Sequence, residues 1–81
     1  MNASDLAQVL YTTTLQASGR PTAARVRAAI GERLLMAGPD VCAAHVAQEA
    51  GDHPEVYRER MRWALDAVNR AYAPCRLLAA A

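Results

Sequence analysis

Eighty-one residues, 53% hydrophobic and 21% charged with a formal net charge of +1, bound the chain to one small globular domain, 1–81. A chain of this size buries only roughly 60–65% of its unfolded surface, so its single core is marginal unless a partner adds to it. Disorder is excluded by the apolar content, a bilayer span by the lack of a ~20-residue apolar run, and a disulfide framework by the presence of only Cys42 and Cys75.

The first residues, Met1-Asn2-Ala3-Ser4-Asp5, hold no basic segment leading into an apolar stretch, so the expected location is cytoplasmic, with both thiols free. All nine basic residues are arginine and there is no phenylalanine; we read this bias as that of a GC-rich bacterial or phage coding sequence.

In chain order, Ser4 or Asn2 can cap a first helix over 4–17, with Leu6, Leu10, Thr13 and Ala17 on one face and Ser18-Gly19 ending it. The run from Val9 to Thr14 favours strand over helix, which makes 9–15 the ambiguous stretch. Pro21 opens a second helix, 21–37, that Gly38-Pro39 closes, with glycine expected in a left-handed cap. Asp40 caps a third helix, 40–50, closed by Gly51, and Pro54 opens a fourth, 54–73, halted by Pro74. The expected fold is all-α, a small bundle of four helices, with 74–81 a frayed or loosely docked tail.

Helical projection at ~100° per residue shows apolar side chains on more than one face. In the fourth helix Tyr57, Met61, Ala64, Leu65, Val68 and Tyr72 form the core stripe, while Val56, Trp63 and Ala67 lie well off it. Its polar face spaces Glu55/Arg58, Glu59/Arg62, Arg62/Asp66 and Asp66/Arg70 for ion pairs along the helix. In the second helix Ala23, Val26, Ile30, Leu34 and Ala37 form the core stripe, and Ala24, Ala28, Gly31 and Leu35 form a second one on the far side. Two such helices in so short a chain predict contact with another subunit or a larger protein. The expected surface is Trp63, Val56, Ala67 and Arg60 together with Ala24, Ala28 and Leu35, tryptophan and arginine being frequent anchors. On that expectation Trp63→Ala abolishes association and leaves helical content intact.

Val46-Ala47-Gln48-Glu49-Ala50-Gly51 followed by a new helix resembles the centre of the helix-turn-helix DNA-binding superfamily, in which a small residue lets two helices touch and a glycine four positions on makes the turn. The resemblance covers residues 42–62 and departs from the family pattern at Asp52, where an apolar residue is usual, and at Arg60, where a buried aliphatic is usual. It implies a regulator that binds duplex DNA as a dimer, with Pro54, Glu55 and Arg58 near base edges and Arg62 toward phosphate. Charge argues the other way: residues 38–55 hold Asp40, Glu49, Asp52 and Glu55 and no arginine, whereas affinity for nucleic acid comes largely from basic groups on phosphate.

Cys42, His45 and Glu49, with His53 beyond them, are zinc-ligand types on one flank of the third helix. Without a paired-cysteine or HExxH motif, Cys42 reads instead as a small apolar core residue, and no metal or cofactor is expected. No glycine-rich phosphate loop or nucleophile-base pair is present, so the chain is expected to be a non-enzyme that works by contact.

Overall fold

A computed structural model describes residues 1–72, and Cys75 and the rest of the 74–81 tail lie outside it. Among the described residues four helices, α1 (Ala3–Tyr11), α2 (Ala23–Met36), α3 (Pro39–Asp52) and α4 (Pro54–Ala71), pack as a small all-α bundle, with a 3-10 turn at Ala17–Gly19. The central pair is α1 and α4; α2 and α3 each pack against both of them. Where these helices meet, the core is built, apart from Leu10, from small and β-branched residues: Ala7, Val9, Val26, Ile30, Cys42, Ala64, Ala67, Val68 and Ala71. Alanines let α1 and α4 approach closely, but each contributes little apolar area, so the hydrophobic stabilisation at ~25 cal/mol per Å² is thin.

The helix starts follow from local chemistry. Asn2 caps α1 in a capping box: its side chain accepts from the Asp5 amide and the Asp5 carboxylate accepts from the Asn2 amide. Thr22 caps α2 by accepting from the Arg25 amide at 3.1 Å. Pro21 therefore precedes the helix rather than opening it.

Three further boundaries differ from the sequence expectation. First, α1 stops at Tyr11, not near Ala17. The threonines end it: the Thr12 and Thr13 hydroxyls donate to the carbonyls of Val9 and Leu10 at 2.8 and 2.7 Å, while their own amides tighten onto the same carbonyls. Side chains that bond the backbone locally in this way compete with helix continuation. Thr13 and Ala17 consequently leave the helix, and Ala17 is exposed.

Second, Gly38 is not a left-handed cap of α2. It is extended, with φ −70° and ψ 166°, and serves as the N-cap of α3, with Pro39 in the first turn. A residue before proline is pushed to extended backbone, which also moves Asp40 from the cap into the first turn, where its charge favours the helix dipole. Third, Gly51 lies inside α3, which runs on to Asp52. Among the described residues Arg20, with φ 47°, is the one that takes positive φ, a conformation that costs an L-residue about 1–2 kcal/mol.

His53 is the whole connection between α3 and α4. Its amide donates to the Glu49 carbonyl at 2.7 Å and its carbonyl accepts from the Tyr57 amide at 2.9 Å, so one residue closes one helix and begins the next.

Candidate interaction surface

The helix end that the threonines create would leave carbonyls unsatisfied, and the last turn of α1 contains no basic residue to answer them. Arg60, one turn and a half into α4, does so from across the bundle. Its Nε donates to the Tyr11 carbonyl at 3.0 Å and its Nη2 to the Thr13 carbonyl at 2.9 Å. The guanidinium lies between two aromatic rings, 5.2 Å from the Tyr11 centroid and 5.0 Å from that of Trp63, a distance at which the ring faces attract a cation. Arg33 of α2 donates from Nε to the Thr12 hydroxyl at 3.1 Å, and that hydroxyl also lies 3.5 Å from Cys42 Sγ. Side chains from α2, α3 and α4 thus converge on the end of α1.

Burial shifts two of these groups. It pulls the Arg60 guanidinium below its ordinary pKa, which Tyr11 partly opposes. It also raises the Tyr11 phenol; Glu49 adds to that rise and Arg60 counters it.

The residues expected from the sequence to meet a partner divide into two groups. Ala67 is 4% exposed and belongs to the core, Trp63 is half-buried and packs against that core, and Arg60 is half-buried in the clamp just described. The bundle has absorbed most of the second apolar arc of α4, because α1 and α2 both pack on that helix. Val56 is the exception, at 59% exposed. On α2, by contrast, Ala24, Ala28, Gly31 and Leu35 all face outward, opposite the buried Val26, Ala29 and Ile30. Leu35 is 89% exposed and Met36, next to it, 83%, and Val41 in the first turns of α3 is exposed too.

Among the residues singled out for nucleic acid, Glu55, Arg58 and Arg62 are exposed on α4, alongside Glu59 and Asp66. Of the four spacings expected to form ion pairs, Asp66/Arg70 closes at 3.1 Å. Asp40 and Asp52 are exposed and Glu49 is half-buried. Two arginines of α2 are engaged inside the molecule: Arg33 holds Thr12, and Arg27 donates from Nη1 to the Ala71 carbonyl at 2.7 Å, which caps the end of α4.

Cys42 is fully buried, as a core residue should be, and His45 is exposed. Among the described residues no three His, Cys, Asp or Glu side chains come together as metal ligands would. A cleft of about 500 Å³ opens between Arg20, Pro21, Val26, Trp63, Ala67 and Arg70, and a second of about 470 Å³ lies over the threonine turn beside His45, Glu49, Val56 and Arg60. No helix among the described residues is long and apolar enough to cross a membrane.

Comparison with protein-family models, curated proteins and solved structures finds no match to this chain.

The Arg60 clamp is the feature that helical projection missed. Its signal was local, three threonines followed by no basic residue inside a helical pattern, which says that an end is made there and must be satisfied by something distant.

Proposed function

We propose that the chain acts by protein–protein contact, as a non-enzymatic helical module whose docking surface is the outward face of α2 with the adjoining Met36. The observation that carries this reading is an uncharged stripe of Ala24, Ala28, Gly31 and Leu35 left uncovered by the bundle, ending in Leu35 at 89% exposure, with Met36 on its flank at 83%. Single exposed apolar residues are ordinary on any protein, but a contiguous uncharged helix face is a common mark of an interaction site. Binding duplex DNA through the exposed Arg58 and Arg62 is the alternative. It has the nearby carboxylates of Glu55, Glu59 and Asp66 against it, and nonspecific affinity should be greatest at low salt.

Leu35→Glu tests the reading directly. Because Leu35 is so exposed, the variant is expected to melt within about 0.5 kcal/mol of the parent. The parent is expected to self-associate in solution, or to hold a defined protein from a host extract, and the variant to lose that contact. No retardation of generic duplex DNA is expected from either at low ionic strength. Contact that is equal for parent and variant would remove α2 from the reading, and a salt-sensitive DNA shift would favour the alternative.

A further inference from the structure

We infer that the occupant of the α2 face is a second copy of this chain, its α2 packed antiparallel about a two-fold axis; the inference rests on the contact reading above. Ala24, Ala28, Gly31 and Leu35 are spaced four, three and four, the rhythm of a seam between two helices. Turned antiparallel on itself, the seam sets Leu35 of each copy opposite Ala24 of the other and Ala28 opposite Gly31. The largest side chain then meets a small one in each outer layer, and the backbones can close to the short end of the ~8–10 Å interaxial range in the middle. A parallel arrangement would stack Leu35 on Leu35 and Gly31 on Gly31, with a bulge at one level and a gap at the other.

Charge makes the same choice. Arg25 and Glu32 each follow a seam residue directly, Ala24 and Gly31, so they lie on one flank, and both are exposed. In an antiparallel pair like flanks meet, which brings Arg25 of each copy to Glu32 of the other, twice by symmetry. In a parallel pair the partner of Glu32 would be Arg27, the arginine already tied to the Ala71 carbonyl at 2.7 Å. Opposed helix dipoles add to the antiparallel preference. About three helical turns of largely small residues bury area at or below the ~1,200 Å² low end of stable interfaces, so the pair is weak, with a Kd of roughly 1 μM–1 mM.

The test is sedimentation equilibrium of the full chain from low micromolar concentration to ~1 mM, with circular dichroism to show that each variant keeps the parent fold. The parent is expected to show a monomer–dimer equilibrium that Leu35→Glu removes. Arg25→Glu and Glu32→Arg, each of which places like charges at both contacts, should each weaken pairing roughly three- to tenfold. Mixed one to one, these two variants restore opposite charges at both contacts and should pair about as well as the parent. The inference is overturned by a parent that stays monomeric throughout, by association indifferent to Leu35→Glu, or by a mixture that pairs no better than its components. A monomeric parent that still holds a host protein, and loses it with Leu35→Glu, would end self-pairing and leave the contact reading standing.

Discussion

Arg60→Ala is expected to lower stability by about 2–4 kcal/mol. The change removes two charge-assisted hydrogen bonds to half-buried carbonyls, each worth roughly 1.5–3 kcal/mol, and two ring contacts worth about 0.5–1 kcal/mol each. Water that enters the vacated space recovers part of the sum. For a domain of this size the loss corresponds to roughly 10–25 °C in Tm, readable in a thermal melt followed by circular dichroism. Arg60→Lys keeps the charge but not the planar fork, and should recover about half. Arg62→Ala, two residues on and exposed, is the control and should stay within about 0.5 kcal/mol of the parent. Equal melts for Arg60→Ala and Arg62→Ala would show that the clamp contributes nothing to stability.

Trp63→Ala is expected to cost about 2–3 kcal/mol, less than the 3–5 typical of a fully buried aromatic, and to leave self-association of the folded protein unchanged. Trp63 packs half-buried against the core and forms one wall of the Arg60 sandwich. The effect on association is the reverse of what helical projection alone suggests, because projection sees Trp63 as surplus. As the chain's one tryptophan, it reports on itself: its emission should be insensitive to protein concentration and should shift to the red on unfolding. A spectrum that moves to the blue as concentration rises, together with association lost in a folded Trp63→Ala variant, would return Trp63 to an interface.

Four helices are legible because Pro39, Pro54 and Asn2 act through neighbours a few residues away, and such local chemistry is written in the chain order; Thr22 acts in the same local way, but Pro21 beside it reads as the start of α2. The outward stripe of α2 is legible for the same reason, its opposite side holding the buried Val26 and Ile30. What α4 covers is not. Ala67 and Trp63 sit off the stripe drawn through Tyr57, Met61 and Val68, but α4 is central and has neighbours on several sides, and a one-face rule underestimates the burial of such a helix. Arg60 was placed on a binding surface by its chemistry. Its bonds run to backbone carbonyls nearly fifty residues away, and side-chain identity does not record such a partner. The ends of α1 and α3 do not fall at Gly19 and Gly51, where glycine predicts the stops. The threonine hydroxyls acted earlier in one case, and Pro54 acted later in the other.

The tie between the end of α1 and Arg60 also bears on the order in which the molecule assembles. Tyr11 and Thr13 are made early and Arg60 late, so a nascent chain that has not yet delivered residue 60 has no means of finishing its first helix in this way. A nine-residue helix is too short to hold itself together in water. The segment that forms α1 is therefore expected to settle only after residue 60 has been made, and a message truncated upstream of residue 60 would yield a product in which that segment stays open to proteases.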